Sequence, residues 1–305
     1  MGLNIQALKM LYKENLYKPI NGNVLLIGKS TVGISRQNLN SFFIENGIAL
    51  NADNFTNRDE KTKRSSDVFN IDDSELFARL FPEIKKIDVL DISPAEGANV
   101  IVDMNYPLSE KIKYEYDFVY DSSVLDNVFN PAQMITNIAQ FLKPNGRVLM
   151  VNVASFFPGA MVSCHPEWFY SFFAVNKFCD VKIYLTIQEE HGEDQFQYRT
   201  KLWRYQPRYS PSQQYNYLKA VTETIGVCYV IAIAESGNQV HTEITFPANL
   251  QYIETSSAKN WQLEEKRFEH SSRPIFKADL DSGGNVNGPN PPHLTDHYEY
   301  LGDNF

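Results

Sequence analysis

Three aspartates, Asp91, Asp103 and Asp121, each follow a short apolar run: Ile87–Leu90, Val100–Val102 and Phe118–Tyr120. An ionised carboxylate is an acceptor-only group with two oxygens, suited to holding a diol or an exocyclic amine. A carboxyl moved out of water can also serve as a general base. Taken singly, an aspartate in this setting is an ordinary loop residue. Three in sequential register, each just past an apolar run, point to a ligand cleft.

The runs are β-branched, continuous and bounded by polar or Pro/Gly signals, which is how strands buried on both faces of a parallel sheet read. Ligands of open α/β sheets bind beyond the carboxyl ends of the strands, where these aspartates fall. A fourth run, Val148–Val153, follows the turn Lys143–Arg147, and an earlier strand is expected over Asn23–Gly28. Between the strands, helical spacing predicts helices over Ile5–Tyr17, Asp73–Leu80, Pro131–Leu142 and His165–Val175. Ser35 is a candidate N-cap and Gly47 a candidate helix stop. Val181–Gln188 and Gly226–Ser236 read as an antiparallel pair at one edge, with Gly226–Ser236 lying between Val148–Val153 and Val181–Gln188. The expectation is an α/β fold, a seven-stranded, mostly parallel, Rossmann-like sheet of order 3-2-1-4-5-7-6 with helices on both faces. Residues 51–70, 189–214 and the tail from Asp281 read as polar excursions. The chain divides into a main domain, residues 1–236, and an irregular C-terminal extension, residues 237–305.

Composition narrows the partners. A net charge of −9 over 305 residues argues against a general nucleic-acid surface, which needs clustered Lys and Arg. The amino-terminal segment carries Lys every few residues and forms neither a signal peptide nor a membrane span. Three cysteines without CxxC spacing make no disulfide framework or zinc site and suit a reducing, cytoplasmic compartment. The six histidines form no HExxH and no metal-ligand pair with Cys, so no metal is expected. Monomer and oligomer both remain open.

The block from Ile87 to Val153 resembles the class I S-adenosylmethionine-dependent methyltransferases. VLDIS sets Asp91 where that family holds the ribose hydroxyls, and VDMN sets Asp103 where it binds the adenine amine. YDFVYDSSVLDNVFNP matches the strand and loop beneath the methionine moiety, and FLKPNGRVLM matches the turn before the fifth strand. The resemblance implies S-adenosylmethionine as cofactor, lying against Gly28, Lys29, Ser30, Asp91, Ile92, Asp103, Met104, Asp121 and Ser122. It implies methyl transfer to a small-molecule or saccharide acceptor, with His165 or Asp126 as candidate base. The departures fall in the first motif, usually acid-x-Gly-x-Gly-x-Gly. Leu26 replaces the acid, and Ser30 and Val32 replace two glycines. Those losses fit a second reading, a methyltransferase-like module without catalysis.

Overall fold

The computed structural model describes residues 2–55, 71–190, 198–205, 227–247 and 298–303. The expected parts of the polar excursions at 56–70, 191–197 and 206–214, and of the tail at 281–297, lie outside these described residues.

The main sheet is built from β2 (Gly22–Ile27), β4 (Ile84–Asp91), β5 (Val100–Ile101), β6 (Tyr116–Ser122), β7 (Leu142–Val153), β8 (Asp180–Glu190), β9 (Tyr198–Tyr205), β10 (Val227–Glu235) and β11 (Tyr298–Asp303). Its order is β11-β9-β8-β10-β7-β6-β2-β4-β5. The seven expected strands take the expected order, with β10 antiparallel to both β7 and β8. The five strands from β7 to β5 run parallel. The sheet continues past its expected edge: β9 pairs with β8 and β11 with β9, both antiparallel. This corrects two expectations. Part of the stretch 189–214 is a strand, and the carboxyl end of the chain supplies the outermost strand rather than a loose tail.

A second, two-stranded parallel sheet joins β1 (Gly2–Leu3) to β3 (Thr31–Val32). Alternation along β2 sends Val24 and Leu26 into one core with α1 (Ile5–Tyr17), α2 (Arg36–Glu45) and α3 (Asp73–Leu80). Leu25 and Ile27 enter the opposite core with α4 (Pro131–Phe141) and α5 (Pro166–Val175). Period-two burial on both faces is what a central strand between two helical layers requires. The helix ends are set by local chemistry. Ser35 caps α2 by accepting the Asn38 N–H, and Gly47 follows that helix at φ +63°.

The expected turn Lys143–Arg147 interrupts β7: the register jumps from Tyr116 opposite Leu142 to Phe118 opposite Arg147, and Asn145 within it takes φ +60°. One local expectation needs correction. The polar stretch after residue 50 begins packed: Ala52 and Phe55 are buried, and Phe43 stacks on Phe55 at 6.1 Å.

The amino-terminal helix is fastened to the sheet by buried charges. Glu14 accepts from Arg147 Nη1 at 2.5 Å and from Lys182 Nζ at 3.0 Å, and all three residues are buried. Arg147 Nη2 also donates to the carbonyls of Lys18 and Pro19 at 2.6 and 2.9 Å. Such a cluster is tolerable in the interior because each charge meets an opposite charge and hydrogen bonds. No described helix is long and apolar enough to cross a membrane.

Candidate functional site

The carboxyl ends of β4, β2 and β6 lie side by side. Ile27 pairs with Leu90 on one side and Asp121 on the other. Strand spacing puts β4 and β6 about 10 Å apart across β2. Gly28, the first residue beyond β2, sits between them with φ +74° and donates its N–H to the Leu90 carbonyl at 2.7 Å. A Cβ there would lie 2.5 Å from Val124 Cγ2. Left-handed backbone and close approach together call for glycine.

Asp91 and Asp103 flank this floor on the β4–β5 side, both half-buried. Asp91 Oδ1 accepts the Ser93 N–H at 3.3 Å. Asp103 Oδ1 accepts from the Asn105 backbone at 2.9 Å and from Asn105 Nδ2 at 2.8 Å. Each carboxylate thus closes its own local turn through one oxygen. The Asp103 loop is held from behind: buried Asn137 on α4 donates to the carbonyls of Met104 and Tyr106 at 3.3 and 2.9 Å. Asn105 Oδ1 accepts the Asn130 N–H at 2.9 Å. Met104 is buried beneath the loop, whereas Ile92 is 65% exposed beside Asp91.

Asp121 behaves differently. It lies within β6 and is fully buried, with Oδ1 accepting the Val124 N–H at 2.9 Å and Oδ2 accepting Asn152 Nδ2 at 2.8 Å. Burial pushes its pKa up to about 7, against the opposing pull of the Asn152 and Val124 bonds. Ser122 is buried as well. Both side chains are packed in the interior in this conformation.

Asp126 is 1% exposed and ties three segments together. Its Oδ2 accepts Ser123 Oγ–H at 2.5 Å and the Val153 N–H at 2.8 Å, and its Oδ1 accepts Asn127 Nδ2 at 2.7 Å. Its backbone carbonyl accepts the N–H groups of Met161 at 2.7 Å and Val162 at 3.2 Å. Ser123 holds φ +64°, an uncommon conformation for a residue with a side chain, next to this junction. Burial raises the Asp126 pKa, with the Ser123 and Val153 bonds opposing. A carboxylate so occupied positions the loops around it and does not present a free oxygen as a base.

His165 caps α5. Its Nδ1 accepts the Glu167 N–H at 3.2 Å, and Pro166 opens the helix. Crowding by neighbouring atoms lowers its pKa, with Glu167 pulling the other way. With the Nδ1 lone pair spent on the cap, the neutral ring carries its proton on Nε2. Service as a base would cost the helix its cap.

Lys29 and Ser30 are tied to the start of α3. Lys29 Nζ donates to Asp72 Oδ2 at 2.6 Å and to Asp73, while the Ser30 N–H meets Asp73 Oδ2 at 2.7 Å. The chain then runs through β3 before α2 starts at Arg36, so no helix begins directly at the glycine turn. Leu26 is 1% exposed in the core under α1–α3 and offers no charge to the cleft. Sequence reasoning missed the supporting residues Asn105, Asn137, Asn152 and Asp73. The legible signal was a polar residue inside an apolar pattern, as Asn152 in VLMVNV and Asn137 in MITNIA.

No protein-family model matches this chain, and no curated protein matches it. Solved structures do. The methyltransferase domain of the citrinin polyketide synthase is 10% identical at TM-score 0.39, covering 77% of this chain and 52% of that one. A SAM-dependent methyltransferase from Archaeoglobus fulgidus is 14% identical at TM-score 0.35, covering 76% and 94%. The N-methyltransferase NodS from Bradyrhizobium japonicum, in complex with S-adenosyl-L-homocysteine, is 12% identical at TM-score 0.33, covering 75% and 84%. The chain spans about half the length of the first of these. Scores this low carry no weight for activity or substrate.

Proposed function

We propose that this chain binds S-adenosylmethionine across the carboxyl ends of β4, β2 and β6 and directs methyl transfer to a small-molecule acceptor. The observation that carries the reading is the pair Asp91 and Asp103. Both are half-buried carboxylates, each braced through one oxygen by its own turn and flanking a glycine floor that admits no side chain. These residues fit the nucleoside half of the group: Asp91 would accept from the ribose diol, Asp103 from the adenine amine, and Ile92 would cover the base. The methionine half fits less well, because Leu26 supplies no counter-ion for the ammonium. A modest affinity is therefore expected.

When bound, the cofactor supplies a methyl group made electrophilic by its sulfonium. The chain's own contribution is alignment and exclusion of water. Asp126 holds the loop after β6 against the loop after β7, which fixes the two walls between which an acceptor would stand. A base is needed only for an acceptor that must lose a proton. His165 would fill that role only by releasing the Glu167 N–H.

A second reading is a binding module without catalysis. Its specific support is Lys29, which spends its charge on Asp72 and Asp73 in the very turn that would face the cofactor. Calorimetry with S-adenosylmethionine and S-adenosylhomocysteine tests the first reading. Saturable binding of both supports it, and no binding at millimolar ligand overturns it.

A further inference from the structure

The loops after β6 and β7 leave large apolar side chains in solvent. Phe129 is 85% exposed, Phe156 93% and Met161 63%, with Phe157 beside them. Scattered exposed apolar residues are ordinary, and Leu16 and Ile44 near helix ends are of that kind. This group differs because the two loops are bound together. Asp126, three residues before Phe129, takes the Met161 and Val162 N–H groups on its carbonyl. The second loop is closed at its neck by Cys164 N–H to the Val153 carbonyl at 2.7 Å and Ser163 Oγ to the Ser155 carbonyl at 3.1 Å. Val162 anchors it by packing on the core.

The rim's chemistry is one-sided. Residues 154–164 and 128–132 contain no charged side chain, in a chain that is 21% charged. The loop's hydroxyls are already engaged: Ser163 bonds within the neck, and Ser155 Oγ accepts the Cys228 N–H at 3.1 Å. What remains is sparse, chiefly the Ser155 O–H and the Ser163 lone pairs, and burying the many hydroxyls of a sugar against so few partners is costly. The loop that carries Phe129 borders the glycine floor, since Val124 on that loop lies against Gly28. Carboxylates therefore line one half of the carboxyl edge and neutral apolar groups the other.

We propose that Phe129, Phe156, Phe157 and Met161 form the acceptor-selecting surface of the site, and that the acceptor is an uncharged small molecule with an aromatic or acyl body. This rests on the methyltransferase reading above. The test uses the full chain with S-adenosylhomocysteine present, the neutral dye Nile red as apolar probe and cellobiose as sugar probe. Nile red is expected to bind saturably near one per chain. Phe129→Ser/Phe156→Ser, which alters only exposed side chains, should weaken it about ten- to a hundredfold and leave S-adenosylhomocysteine binding unchanged. Cellobiose should not bind at millimolar concentration. Equal Nile red binding by the variant, or cellobiose binding that the variant weakens, overturns the proposal. So does phenylalanine-dependent sedimentation with phosphatidylcholine vesicles, which would make the rim a membrane contact. Failure of wild type to bind S-adenosylhomocysteine, by contrast, removes the methyltransferase reading itself.

Discussion

Replacing Asp126 separates a positioning role from a catalytic one. In Asp126→Ala the Ser123 hydroxyl and the Val153 N–H, both buried, lose their acceptor. An orphaned buried donor costs about 1–3 kcal/mol, so the two together cost about 2–6 kcal/mol, with little added by exposed Asn127. Asp126→Asn should behave otherwise. Its amide oxygen can keep both buried donors, and its NH2 faces Asn127 Nδ2, which loses one bond but keeps the one to the Ser123 carbonyl at 2.6 Å. Burial already penalises the charge at this position, so the neutral amide is expected to cost about 1 kcal/mol. Guanidinium unfolding followed by tryptophan fluorescence measures both, given Trp168 on the neighbouring helix. A loss below 1 kcal/mol in Asp126→Ala, or equal losses in the two variants, would refute the junction described here.

Glu14→Ala leaves Arg147 buried with carbonyl partners alone, while Lys182 keeps Asp180, and should lower stability by about 3 kcal/mol, read as an earlier unfolding midpoint; an unchanged midpoint would show the cluster to be idle. Gly28→Ala forces a left-handed residue, about 1–2 kcal/mol, against Val124, and adding Val124→Ala should recover the clash but not the backbone strain. Asp121 has a folded pKa of about 7, above its ordinary value of 3.8, so the folded state binds more protons between these limits and its contribution to stability falls as pH rises through that window. Asp121→Asn should flatten that fall, and unfolding curves at pH 5 and 8 that shift equally in wild type and variant would contradict it.

The parallel strands were legible because continuous apolar runs have few other homes, and Val148–Val153 or Phe118–Tyr120 could scarcely be loops. β9 was not, since YRTKLWRY interleaves Arg199, Lys201 and Arg204 with its apolar residues, as strands near a sheet edge do to discourage further pairing. β11 hides in a Gly- and Asn-rich end whose pairing with β9 is long-range. Within the site, type and rough position of the aspartates were readable but their fates were not. Asp91 is the last paired residue of β4, opposite Ile101, and Asp103 lies beyond β5, whereas β6 continues one residue past Asp121 and draws it inside. A shift of one residue along a strand decides between a ligand group and a buried one, and no composition signal reports it.

The central claim is that Asp91 holds the cofactor's ribose at the carboxyl edge. Calorimetric titration of S-adenosylhomocysteine into wild type and Asp91→Ala tests it most directly. A charged acceptor contributes about 1.5–3 kcal/mol, so the variant should bind about ten- to a hundredfold more weakly, with an unfolding midpoint close to wild type because Asp91 is half-exposed and braces only its own turn. Equal binding by both proteins, or none by wild type at millimolar ligand, would contradict the account.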